Sequence, residues 1–167
     1  MPRYFKKLTD DAIIPQRATR NSAGYDISAS ETVTIQPNEI KLVPTGLAVK
    51  MYNEDEVFML FDRSSNPMKR GIRLANSVGI IDSDYYPNEF MGMFQNITDH
   101  PVTIEKGQRI MQGIFTDFWL TDDDKPLSEE RNGGIGSTGD FHADGVELPH
   151  TIVDDPTFHG VVILDKE

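Results

Sequence analysis

Short apolar runs separated by turn-forming residues recur along the first two-thirds of the 167-residue chain. TVTI at 32–35 leads into QPNE, and IKLVPTGLAV at 40–49 alternates imperfectly around Pro44, which marks an edge or a bend. EVFMLF at 56–61 ends at a charged pair, and EFMGMFQNITD, VTIEKGQRI and MQGIFTDFWL follow at 89–99, 102–110 and 111–120. No long stretch carries the helical period. The best helical candidate is a turn or two within residues 65–71, where Pro67 suits a first helical turn. Short strands at this spacing predict an all-β sandwich or barrel without internal repeats.

Charge narrows what such a domain can bind. The chain has 16 basic and 27 acidic residues, a net charge of −11. That argues against a general nucleic-acid binder or a membrane-surface protein, both of which need clustered Lys and Arg. With no cysteine, disulfides, thiolate metal sites and a cysteine nucleophile are excluded. The N-terminal segment has no apolar run of signal-peptide type, and a cytoplasmic location is the expectation.

Against this acidic background, RNGGIGSTG at 131–139 reads as a segment that orders over an anion. Glycines let backbone N–H groups turn inward, Ser137 and Thr138 add donors, and Arg131 adds a forked permanent charge. A Gly/Ser linker is the competing reading. Residues 1–127 then form the β domain, 128–139 a glycine-rich arm, and 140–167 an acidic tail with seven acidic residues and one lysine. HTIV and GVVIL in the tail have the composition of short strands.

Four further islands carry candidate chemistry. In AGYDISA at 23–29, Asp26 is either a β-turn aspartate or a carboxylate held for a metal or a ribose hydroxyl. DRSSNP at 62–67 sets Arg63 beside Ser64 and Ser65 after a strand, the composition of an anion cradle or of a surface turn with a salt bridge. In NSVGIIDSDYY at 76–86, Asp82 ends an apolar run beside Tyr85. This suits a general base next to a ring-stacking platform, or else a polar hairpin tip. In GQRIMQG at 107–113, alternation points Ile110 and Gln112 to one face and Arg109 and Met111 to the other. An inward amide at Gln112 then implies a hydrogen-bonding duty. Asp122, Asp123 and Asp124 read as a solvated loop, the four histidines lack zinc-ligand spacing, and neither Ser64 nor Ser137 sits in a nucleophile elbow.

In this order the five islands resemble the motifs of the trimeric dUTPase family: A-G-x-D-L-x-A, R-S-G/S, G-V-I-D-x-D-Y, G-x-R-I-A-Q and the arm R-G-x-G-F-G-S-T-G. The resemblance spans residues 23–139. It implies a β-clip or distorted jelly-roll-like barrel, assembled as a homotrimer with shared active sites. It implies hydrolysis of dUTP at the α-phosphorus to dUMP and pyrophosphate, which limits uracil incorporation into DNA and supplies dUMP. By position, Asp82 activates the attacking water, and Tyr85 stacks under deoxyribose. Asn76 and the backbone up to Gly79 read uracil. Asp26 orients Mg²⁺ through its water shell, and Arg63, Ser64, Ser65 and Gln112 hold the phosphates. Arg131, Gly136, Ser137 and Thr138 close over the substrate, with Ile135 where the family has an aromatic and Phe90 as a candidate replacement for it. The tail has no counterpart, and the lid or tail is a candidate contact for a protein partner. A dCTP deaminase of the same superfamily and a nucleotide-gated regulatory binding protein are the alternative functions.

Overall fold

The computed structural model describes residues 2–126. The arm, the tail and their expected strands lie outside the described residues. Twelve strands form: β1 Tyr4–Lys7, β2 Gln16–Arg17, β3 Tyr25–Ser28, β4 Val33–Ile35, β5 Ile40–Val43, β6 Leu47–Lys50, β7 Glu56–Asp62, β8 Ile72–Leu74, β9 Val78–Ile81, β10 Gly92–Asn96, β11 Val102–Ile104 and β12 Arg109–Asp117. The largest sheet runs β2-β3-β12-β7-β9, a second runs β5-β10-β8, and β1-β6 and β4-β11 are pairs. The all-β architecture expected from the short apolar runs is therefore present. Among the described residues, no helix is long and apolar enough to cross a membrane.

The spine is β12, which pairs antiparallel with both β3 and β7. Its flank on β7 is apolar enough to be buried from both sides, and Phe58 is fully enclosed. Phe58 meets Phe115 at 4.6 Å between centroids, Phe5 at 5.4 Å and Phe90 at 5.7 Å. Gly113 makes this possible, because a Cβ there would sit 2.0 Å from the Phe58 ring. Such rings add packing energy beyond the area they bury.

Several boundaries depart from the sequence expectation. The run at 102–110 splits: β11 stops at Ile104, the chain turns through Gly107 at φ +82°, and Arg109 joins β12. The alternation expected for residues 109–112 also fails. Pairing with β3 shifts register between Arg109 and Met111, so Ile110 and Met111 are both fully buried. Asp26 lies inside strand β3, not in a β-turn. The helical turn is present as a π-type turn over Asn66–Arg70, with Pro67 in its first turn and Gly71 at φ +64° closing it. Pro44 does mark a bend, between β5 and β6.

Glu56 is a charged residue only 2% exposed. Its carboxylate accepts from Arg3 Nε (3.0 Å) and Tyr52 N (2.8 Å), and Arg3 Nη2 closes the pair. Burial opposes ionisation, but the Arg3 hydrogen bonds and the Tyr52 N–H outweigh it and hold the carboxyl below its ordinary value. A depressed carboxyl contributes stability in full above the ordinary glutamate range and loses it as pH falls through the depressed value. Glu56→Gln is expected to cost about 1–2 kcal/mol at neutral pH, because a charge-assisted bond is lost while solvent screens the half-exposed Arg3. Denaturant midpoints of both proteins across the acid range check this: the gap should close as the wild-type carboxyl protonates.

Candidate functional site

A cleft of about 370 Å³ opens between the two larger sheets. β9 and the turn after it form one wall with Gly79, Ile80, Ile81, Asp82 and Tyr85. Leu42 of β5 and Met93 of β10 face it, and Asn76 lies at the rim. Four residues singled out in the sequence, Asn76, Gly79, Asp82 and Tyr85, thus share one concavity. Local geometry explains their placement. β9 is held on β7 with Gly79 opposite Leu60, where a Cβ on Gly79 would come 3.1 Å from the Leu60 side chain. Asp82 then ends the strand at φ −79°, ψ 161°, and Ser83–Tyr85 form one 3₁₀ turn. The Tyr85 hydroxyl donates to the Glu89 carbonyl at 3.1 Å. The Glu89 carboxylate accepts from Thr45 N (3.0 Å) and Gly46 N (2.6 Å). Tyr85 is in this way tied through Glu89 to the bend between β5 and β6. Phe90, by contrast, is 1% exposed and packed on Phe58, so it is cleft floor and core, not an exposed stacking face.

The predicted phosphate-binding residues gather elsewhere, around the end of β7. Arg63 Nε lies 3.4 Å from Asp26 Oδ1, and Arg109 Nη1 lies 2.9 Å from Asp26 Oδ2. Gln112 Nε2 donates to the Asp62 carbonyl at 3.2 Å, which bears out the hydrogen-bonding duty expected of it. Gly24 leaves room for that amide, since a Cβ on it would come 2.7 Å from Gln112 Oε1. Ser64 and Ser65 begin the turn that follows Arg63.

Sequence reading missed three members of this cluster. Asp62 accepts from Asn66 Nδ2 (2.5 Å) and Leu74 N (3.1 Å), which fixes the Arg63 turn against β8. Arg70 Nη1 donates to the Arg109 carbonyl at 2.6 Å, and Arg63 Nη1 donates to the same oxygen at 3.2 Å. The third member is Arg109 itself, which the sequence placed only on a strand face. Arg63 and Arg109 bridge the Asp26 carboxylate and Arg70 joins them at the Arg109 carbonyl, a concentrated positive field on an acidic chain. No local pattern announces it, because the arginines come from two separate segments.

The two clusters are not neighbours within one chain. Asp26 shares the register level of Gln112 and Phe61, whereas Ile81, just before Asp82, pairs with Phe58. β3 and β9 are three strand spacings apart in the sheet order. At about 4.8 Å per strand and about 3.3 Å per residue, Asp26 and Asp82 stand roughly 20 Å apart on a diagonal. The expected lid residues Arg131, Ile135, Gly136, Ser137 and Thr138 lie outside the described residues.

The dUTPase family model matches residues 10–139 of this chain. A deoxyuridine 5′-triphosphate nucleotidohydrolase of Lactococcus lactis subsp. lactis is 54% identical over 133 residues, covering 75% of this chain and 87% of the relative. That of Chromobacterium violaceum is 40% identical over 132 residues, with the same coverage, 75% and 87%. Among solved structures, the dUTPase from Streptococcus mutans superposes with a TM-score of 0.67 at 43% identity, over 71% of this chain and 98% of that one. The dUTPase from phage phi11 of S. aureus, at 21% identity and a TM-score of 0.67 over 77% and 97%, shares the fold.

Proposed function

The chain belongs to the dUTPase family, and on that premise we propose that it is a dUTP nucleotidohydrolase whose active sites each combine the Asp82 cleft of one copy with the arginine cradle of another. The observation that carries this reading is the cleft itself, which brings together Asn76, Gly79, Asp82 and Tyr85. The diagonal separation supports the sharing: one triphosphate cannot reach both clusters within a single chain. A homotrimer, as the family resemblance implies, supplies the second copy.

The chemistry follows from the residues. Asn76 and the backbone near Gly79 present polar groups to the uracil edge, and a base with the opposite donor–acceptor pattern leaves them unpaired. The Tyr85 ring lies under the sugar, where a 2′-hydroxyl has no room. Asp82 accepts a proton from the water that attacks the α-phosphorus, a contribution of roughly 10²- to 10⁴-fold. As the new oxygen–phosphorus bond forms, the bond to the bridging oxygen breaks, and pyrophosphate leaves in the field of Arg63 and the hydroxyls of Ser64 and Ser65. Gln112 completes that set.

Mg²⁺ fits this site only as a complex with the triphosphate. Among the described residues there is no group of three potential metal ligands; of the two carboxylates in the cradle, Asp26 is already bridged by two arginines and Asp62 accepts from Asn66 and the Leu74 N–H. Mg²⁺ commonly binds through one or two carboxylates plus substrate phosphates and keeps several waters. Asp26 would hold it through those waters, and the ion would neutralise phosphate charge. Incubation with dUTP and, separately, dCTP in the presence of Mg²⁺ tests the function: dUMP and pyrophosphate are expected from dUTP. Ammonia from dCTP without dUTP turnover would reassign the chain to deamination, and binding without turnover would favour a regulatory role.

A further inference from the structure

Arg70 occupies a place in the cradle that none of the family-derived assignments covers. Its Nη1 is held twice, by Asn66 Oδ1 at 3.1 Å and by the Arg109 carbonyl at 2.6 Å. Asn66 is fully buried, and its Nδ2 is committed to Asp62 Oδ1 (2.5 Å) and the Ile110 carbonyl (2.6 Å). A buried side-chain amide with every group satisfied is a rigid anchor. It wires Arg70 through the last residue of β7 to β12. Nε and Nη2 of Arg70 are left without a partner among the described residues.

We infer that Arg70 contacts the polyphosphate of the substrate as a third cation of the Arg63–Arg109 cradle, with Asn66 as the positioning residue that aims it. The charge count supports this. Asp26 is shared by Arg63 and Arg109, whereas Arg70 has no carboxylate within salt-bridge distance among the described residues. Burial, then the charges of Arg63 and Arg109, pull its pKa down from the usual guanidinium value, so the site bears an electrostatic cost that an arriving anion relieves. Fixing the fork in advance also spares the ordering cost at binding. The inference rests on the dUTPase reading and deepens it.

Arg70→Met, which keeps the apolar stem and removes the charge, is expected to raise KM for dUTP roughly tenfold or more and to weaken inorganic pyrophosphate binding by a similar factor. The effect on kcat is smaller, and dUMP affinity is unchanged, because dUMP lacks the outer phosphates. Arg70→Lys should recover part of the pyrophosphate affinity. Asn66→Leu should weaken pyrophosphate in the same direction by releasing the guanidinium. A folded Arg70→Met protein with wild-type KM and pyrophosphate affinity overturns the inference. So does a Lys variant as weak as the Met variant that has also lost dUMP binding, since that marks a structural role. Should Arg70→Met not fold, Arg70→Gln is read the same way, because it keeps an amide donor for the Arg109 carbonyl without the charge. A wild-type chain that leaves dUTP intact refutes the proposed hydrolase function instead, and the same assay shows this before any variant is made.

Discussion

Asp82→Asn is expected to lower kcat by roughly 10²- to 10⁴-fold while dUTP affinity stays close to that of the wild type. The substitution is nearly isosteric and retains a hydrogen-bonding side chain where β9 gives way to the 3₁₀ turn. The cleft wall, which depends on the β7–β9 pairing and on the tie from Tyr85 to Glu89, is untouched. Under the proposed role, what disappears is the capacity to take a proton from the attacking water. An interaction needed only as the new bond forms shows in kcat more than in binding. Steady-state turnover, with titration of a non-hydrolysable dUTP analogue, separates the two. Turnover equal to wild type would remove Asp82 from the role of base.

The second large effect concerns assembly. Asp82→Asn and Arg63→Met proteins should each be nearly inactive alone, yet unfolding and refolding them together in equal amounts should restore about a quarter of wild-type activity. The fraction follows from random assortment: a working site needs its Asp82 from an Arg63→Met chain and its Arg63 from an Asp82→Asn chain, each drawn half the time. A site contained in one polypeptide would give no recovery. Light scattering of the mixture reports whether the mass is that of three chains.

What the sequence disclosed, and what it concealed, divides along physical lines. Residues that must touch one another within a short segment were visible. The apolar run of β7, the bend at Pro44 and the Asp82–Tyr85 pair all follow from neighbours along the chain. β1 was not visible. YFKK buries only part of one aromatic and exposes the rest, so its strand character comes from pairing with β6. The register shift in β12 was equally hidden. It depends on how β3 meets β12, and no pattern in GQRIMQG encodes its partner. The arginine cradle is legible one residue at a time, through Arg63 and Gln112. Its strength comes from segments some 40 residues apart in the chain, brought to a single carbonyl by the sheet. Glu56 makes the same point: a buried acid is intelligible only once Arg3 is seen beside it.

That last pairing has a practical side for anyone engineering the protein. Arg3 both clasps the enclosed carboxylate and lays its guanidinium over the Phe115 ring, 5.0 Å from the centroid. Trimming the first few residues to tidy an expression vector would strand Glu56 on its main-chain donor from Tyr52 and strip the cover from the aromatic cluster. An affinity handle is better joined ahead of an intact leading segment than substituted for it.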